Sequence, residues 1–152
     1  MTTKPIKRHD AIQPISREHH HCLLLCWKIR EGFKKNIETE RIAKYTNWFW
    51  ENYLKYHFSV EEKYLFPILP AQDKLVQQAI QEHSVLRGFF QTPDKTEETL
   101  TQIEQKLVEH IRFEERTLFN AIQECAKADQ LQLVKEKVIL EFDTEWEDEF
   151  WW

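Results

Sequence analysis

Glycine and proline are scarce: the 152 residues hold two glycines and five prolines, and the stretches 15–66 and 94–152 contain no proline. That shortage excludes a fold built on many tight turns and favours long uninterrupted helices. Cysteine is sparse too. Cys22, Cys26 and Cys125 form an odd set with no spacing pattern, which argues against a disulfide framework. The longest apolar run, Cys22 to Trp27, falls far short of the roughly 20 residues a membrane-spanning helix needs. The opening stretch MTTKPIKRHD has no apolar segment of signal-peptide length, so the cytoplasm is the expected location. No basic stripe is present that would replace counterions along a phosphate backbone, which argues against nucleic acid as a partner.

What the chain does have is the material of one globular domain: 41% hydrophobic, 13% aromatic and 31% charged residues, enough to bury a real core. Its formal charge of −5 is unevenly placed. Residues 141–152 (EFDTEWEDEFWW) carry six acids and no base, which leaves 21 basic against 20 acidic residues in 1–140. The acidity belongs to the tail, and the body is nearly neutral.

Apolar residues recur at three- and four-residue steps along most of the body, the mark of helices with one buried face. Ile15, His19, Cys22/Leu23, Cys26, Ile29 and Phe33 draw such a face over about 15–35. A second runs over about 38–66 through Ile42, Phe49/Trp50, Tyr53, His57, Val60/Glu61 and Tyr64/Leu65, and Pro67 and Pro70 end it. The third, about 71–91, carries Leu75/Val76, Ala79/Ile80, His83, Leu86 and Phe90; the fourth, about 95–126, carries Leu100, Ile103, Leu107, His110, Phe113/Glu114 and Leu118. Short connections favour antiparallel neighbours, so the expected fold is all-α, an up-down-up-down four-helix bundle over residues 1–128. A short amphipathic helix, about 129–141, and the acidic aromatic tail complete the second unit, 129–152.

Each of the four helices places one histidine in the middle of its apolar stripe: His19, His57, His83 and His110. A lone histidine there is ordinarily a core residue with one hydrogen bond; four on four stripes point to a shared polar object at the bundle centre. Two carboxylates follow the same faces. Glu61 lies four residues after His57 and Glu114 four after His110, one helical turn on in each case. The spacing alone is weak, but HFSVEEKYLF (57–66) and HIRFEERTLF (110–119) share His, Glu, Glu, Leu and Phe at identical offsets. Two helices therefore repeat one metal-ligand cassette. Four imidazoles and two carboxylates suit two divalent or trivalent ions, the carboxylates bridging; iron, zinc and manganese all accept such donors. A ferritin-like site expects Glu-x-x-His on two helices, and Glu18–His21 is the single instance here.

The run ISREHHHCLLL, the H-x-x-x-EE-x-x-LFP of the second helix, the EH of the third and the H-x-x-FEER-x-LF of the fourth resemble the hemerythrin-like, or HHE cation-binding, domain over about residues 10–125. The resemblance implies a non-haem di-iron centre with an oxo or hydroxo bridge that binds oxygen or related small molecules. By position, His19, His57, His83 and His110 match terminal metal ligands, and Glu61 and Glu114 match the bridging carboxylates. One departure stands out: the oxygen carriers of the family have a further histidine four residues after the third-helix one, and here that residue is Arg87, which has no lone pair to donate. Each metal would then keep one open position. Arg87 has two readings, a donor to a bound anion or a charge pointing out of the bundle.

The expected function is a di-iron protein that binds or senses oxygen, nitric oxide or peroxide, with no nucleic-acid or membrane partner. An enzyme or iron donor acting on peroxide or nitric oxide is the first rival, and a structural clamp holding zinc, with function in the tail, is the second. Of the other histidines, His20 and His21 are expected on the flank and His9 on the surface. Cys22 and Cys26 are read as small core residues, and Trp27, Trp50, Tyr53 and Tyr64 as packing around the centre. Six acids predict a solvated tail, whereas Phe150, Trp151 and Trp152 mark a contact segment for a protein partner, for self-association or for the bundle ends.

Overall fold

The computed structural model describes residues 7–138 and 145–152, and among them every regular element is helical. Helix α1 is Gln13–Lys34, α2 runs over 39–65, α3 is Lys74–Phe90, α4 runs over 97–125 and α5 is Ala128–Lys137. The expected all-α bundle with a short C-terminal helix is what the chain forms. The fifth helix stops at Lys137, earlier than periodicity predicted, and residues 139–144 lie outside the described part.

Local chemistry marks the ends. Pro14 sits in the first turn of α1, where its missing N–H costs nothing. Asn36 follows α1 with φ of 56°, and Ile37 N–H reaches back to Gly32 C=O at 2.9 Å, so the left-handed residue and the long return bond close the last carbonyls. Asp73 caps α3 by accepting from Leu75 N–H at 2.8 Å, and Thr96 caps α4 by accepting from Thr99 N–H at 3.2 Å. Pro67 falls in a tight three-residue turn, Phe66–Ile68, that ends α2.

Neither α2 nor α4 is a plain α-helix. Wide π turns interrupt α2 at Trp50–Leu54 and Glu61–Leu65, and α4 at Glu114–Leu118. Each of the two cassettes therefore widens at its first glutamate, Glu61 or Glu114, and such turns recur where a helix must aim a functional side chain. A 3.6-residue periodicity does not show an extra residue of this kind.

Two apolar clusters fill the bundle, with the histidine and glutamate layer between them. One contains Cys22, Ile29, Phe49, Tyr53, Leu54, Leu86 and Leu107; the other contains Ile15, Leu65, Phe66, Ala79, Leu118 and Ile122. Helix α5 closes the second through Leu131 and Val134. Leu23 and Ile80, the alternatives to Cys22 and Ala79 in the predicted stripes, are exposed.

The tail corrects the expectation of a solvated end, because its described part folds back onto the first cluster. Phe150 and Trp151 are buried there, Trp146 packs on Tyr45 and Trp48, and only Trp152 of the last three aromatics faces outward, 76% exposed. Arg41 anchors the segment by donating from Nε and Nη2 to the two carboxylate oxygens of Asp148, at 2.9 and 2.6 Å. Lys28, itself buried, places its ammonium 3.9 Å from the Trp151 ring centre and donates to Tyr45 Oη at 2.9 Å. Burial lowers the Lys28 pKa. Aromatic area and a caged cation outweigh the repulsion of the acids.

Trp151→Ala is expected to destabilise the chain by about 3 kcal/mol, the usual cost of truncating a large buried aromatic. Urea denaturation checks this, and an unchanged midpoint would mean that the tail is not docked.

Candidate metal centre

All six predicted side chains meet in one layer. Glu61 Oε1 lies 3.1 Å from His83 Nε2, and its Oε2 lies 3.4 Å from His57 Nε2 and 3.8 Å from His19 Nε2. Glu114 Oε1 lies 3.0 Å from His110 Nε2 and 3.2 Å from His19 Nε2. Two donor groups result, His19, His57, Glu61 and Glu114, and Glu61, His83, His110 and Glu114; within each the donor atoms lie within 4.8 Å of one another. Both glutamates belong to both groups. Every one of the six residues is buried, Glu61 and Glu114 completely.

Four further glutamates, which sequence reasoning missed, hold the backs of the imidazoles. His19 Nδ1 donates to Glu115 at 2.8 Å, His57 Nδ1 to Glu18 at 2.7 Å, His83 Nδ1 to Glu62 at 2.6 Å and His110 Nδ1 to Glu82 at 2.7 Å. A carboxylate only accepts, so Nδ1 carries a proton and Nε2 is the nitrogen that faces the layer. The glutamate of each helix serves the histidine of the next: α1 holds α2, α2 holds α3, α3 holds α4, and α4 returns to α1. The signal was present in the sequence as neighbours of the six, Glu18-His19 and Glu82-His83 on one pair of helices and Glu61-Glu62 and Glu114-Glu115 on the other.

The layer fits a cation on polar grounds. The Nε2 atoms of His19 and His57 and all four carboxylate oxygens of Glu61 and Glu114 are buried without a hydrogen-bond partner. Leaving six such atoms unmatched in an apolar interior is costly. Imidazole nitrogen and carboxylate oxygen together suit first-row transition metals.

The model of the hemerythrin HHE cation-binding domain matches residues 10–122. The chain belongs to that family. Searches of the curated proteins and of the solved structures return no match to the chain.

Around this HHE centre the remaining sequence candidates divide. Arg87 is half-exposed on the outer side and donates from Nη2 to Glu62 at 3.0 Å, so it braces the glutamate behind His83. His20 is exposed, His21 stands edge-on to the Tyr53 ring at 5.6 Å, and His9, exposed, accepts from Ala11 N–H at 3.0 Å to start α1. Cys22 and Cys26 are buried; burial pushes the Cys22 thiol up and the Cys26 thiol up to about 12, so both stay protonated core residues. Tyr53 and Trp50 pack in the core, and Trp27 and Tyr64 lie part-buried at its edges.

Without a cation, protons must balance the HHE layer. Burial lowers the His57 pKa, but Glu61 and Glu18 overcome it and hold it at about 9; burial lowers that of His110 also, and Glu114 and Glu82 hold it at about 10. His19 is raised against the same burial by Glu114, Glu115 and Glu61. Burial raises the Glu61 pKa, while His57, His19 and His83 carry it well below the usual carboxylate range. Raised imidazoles give stability that is complete below their ordinary 6.5 and lost as pH climbs through 9 to 10. The lowered carboxylate gives stability present above its ordinary 4.5 and lost in acid. The chelator-treated protein is therefore expected to be most stable between those two values and to melt at progressively lower temperature from pH 7 to 10. Loading with a divalent cation replaces the protons and should flatten that alkaline limb. Thermal melts of both forms across the range check this; parallel curves would refute it.

Proposed function

We propose that the protein is a non-haem di-iron protein that binds or senses oxygen, nitric oxide or peroxide. His19 and His57 would hold one iron, His83 and His110 the other, and Glu61 and Glu114, which belong to both donor groups, would bridge them. The observation that carries the reading is that both buried glutamates belong to both donor groups. Charge supports it as well. Six carboxylates, Glu18, Glu61, Glu62, Glu82, Glu114 and Glu115, face two guanidiniums, Arg8 and Arg87, a balance of −4 that two divalent ions neutralise. The same donors accept zinc or manganese, so the choice of iron rests on the family resemblance.

When bound, the metal pair supplies redox-active Lewis-acid positions to which a small diatomic or peroxidic ligand attaches. The chain's own residues prepare that site. The four outer glutamates hold each imidazole in one tautomer with Nε2 inward and raise its donor strength. Phe58, stacked on His83 at 3.7 Å between ring centres, and Phe119, stacked on His19 at 5.3 Å, wall the layer against water. Four imidazoles and two carboxylates would supply fewer donors than two six-coordinate ions take, which would favour binding and sensing over a purely structural clamp.

Metal analysis of the iron-loaded protein is expected to give two ions per chain, and the air-exposed form should absorb in the near-ultraviolet, where a zinc form does not. Sustained consumption of peroxide or nitric oxide, in place of a stable reversible adduct, would convert the reading from binding protein to enzyme. Because each bridge serves both positions, Glu61→Ala or Glu114→Ala should weaken both metals by about tenfold or more, whereas His110→Ala should weaken mainly one. Full metal content in all three variants would remove the assignment.

A further inference from the structure

The two cassettes repeat one more feature, on the outer side of the layer. In each, the glutamate that follows the layer glutamate lies in a π turn, sets its carboxylate behind an imidazole and meets a guanidinium there. Glu62 Oε2 accepts from His83 Nδ1 at 2.6 Å and from Arg87 Nη2 at 3.0 Å. Glu115 Oε2 accepts from His19 Nδ1 at 2.8 Å, Ser16 Oγ donates to the same carboxylate at 2.8 Å, and Glu115 Oε1 lies 3.6 Å from Arg8 Nε. Arg8 also donates to the Glu115 backbone carbonyl and, at 2.9 Å, to Asn120 Oδ1. One arginine precedes α1 and the other stands on α3, so the repeated cassette does not itself account for either.

The other two outer glutamates, Glu18 behind His57 and Glu82 behind His110, form no ion pair with a lysine or arginine among the described residues. Glu82 accepts from the neutral amide of Gln78 at 2.9 Å, and Lys106 lines the cavity beside it without closing to an ion pair. The arginines therefore alternate around the ring, and each donor group contains one imidazole of each kind, His19 with His57 and His83 with His110. A carboxylate on Nδ1 pushes negative charge through the ring, strengthens Nε2 as a donor and favours the higher oxidation state of a bound metal. A guanidinium on that carboxylate takes up part of this charge, and its own positive charge acts in the same direction through a partly desolvated medium. Six carboxylates and two guanidiniums leave −4 around the two positions; without the arginines the balance would be −6.

We propose that Arg8 and Arg87 are positioning residues for the metal pair, one for each metal, which act through Glu115 and Glu62 to raise its reduction potential and so favour its reduced state. The inference rests on the di-iron reading above. It gives Arg87 a role that neither of the two sequence readings contained, since the guanidinium donates to a glutamate of the ring and not to a bound anion, and it gives the same role to Arg8, which the sequence did not single out.

Spectroelectrochemical titration of the iron-loaded full chain tests it, with iron content measured alongside. Arg87→Gln, a change at a half-exposed position that keeps an amide donor and removes the charge, should favour ferric over ferrous iron about tenfold more than the wild-type chain does, a drop of about 59 mV in a one-electron step. Arg8→Gln should do the same, and the double variant should fall further than either. Arg87→Lys and Arg8→Lys return the charge and should stay near the wild-type potential. If Arg8→Gln does not fold, the Arg87 pair alone decides. Potentials unchanged or raised in Arg87→Gln with two irons retained, or a lysine variant that falls as far as its glutamine counterpart, would reduce the arginines to struts and overturn the proposal. A wild-type chain that holds fewer than two irons, or holds them without a reversible couple, would instead remove the di-iron reading on which the proposal stands.

Discussion

Four imidazoles and two carboxylates buried at the middle of a small helical bundle create a charge problem that the rest of the structure is arranged to solve. Desolvating Glu61 and Glu114 completely is tolerable only beside positive charge, and the histidines provide it in either of two ways. With protons on Nε2, His19, His57 and His110 are cations themselves; a metal on Nε2 would supply the charge instead. In both states Nδ1 keeps its proton and its outer glutamate. That ring of carboxylates is therefore the constant part of the site, and the inner layer is the part that changes occupancy.

The polar layer divides the core, and each half is closed by an element that a minimal bundle would not need. Leu131 and Val134 of α5 extend the Ile15–Phe119 cluster, and Phe150 and Trp151 extend the cluster around Phe49 and Tyr53. A layer that stabilises the bundle only when balanced by protons or metal contributes unevenly to folding, and two enlarged apolar ends offset that dependence. The buried Lys28 ammonium under Trp151 and the paired bonds from Arg41 to Asp148 belong to this closure. Acids that looked like a solvated tail in isolation are compatible with docking because their aromatic neighbours face inward while Glu145, Glu147 and Glu149 stay exposed.

Periodicity was enough to locate the four long helices and the face of each that carries a histidine, since a 100° step per residue is a property of the backbone and not of the context. The cassettes at 57–66 and 110–119 located both glutamates of the layer for the same reason. What the pattern did not reveal depends on neighbours from distant parts of the chain. Whether Arg87 pairs with Glu62 or faces solvent depends on how α2 and α3 stand side by side. Whether Trp151 is buried depends on a surface formed by α1 and α2. The π turns at Glu61 and Glu114 escaped because one added residue leaves both apolar stripes continuous on either side of it.

The order of the outer glutamates follows from the direction of the helices. Viewed from one end of the bundle, successive residues of an ascending right-handed helix turn one way and those of a descending helix turn the other. On α1 and α3 the supporting glutamate precedes the layer residue of its own helix, as Glu18 before His19 and Glu82 before His83; on α2 and α4 it follows, as Glu62 after Glu61 and Glu115 after Glu114. One step back on an ascending helix and one step forward on a descending helix swing the side chain in the same rotational sense, about 100° from the bundle axis toward the same neighbour. Four such swings close a ring in which every histidine receives one carboxylate and none receives two. Placed on the other side of its ligand, any one of these glutamates would face the preceding helix, leave one imidazole without support and crowd two carboxylates at another. The alternation of Glu-His with Glu-Glu along the chain is thus tied to the up-down-up-down topology, and it connects the metal chemistry to the fold at the level of single residue steps.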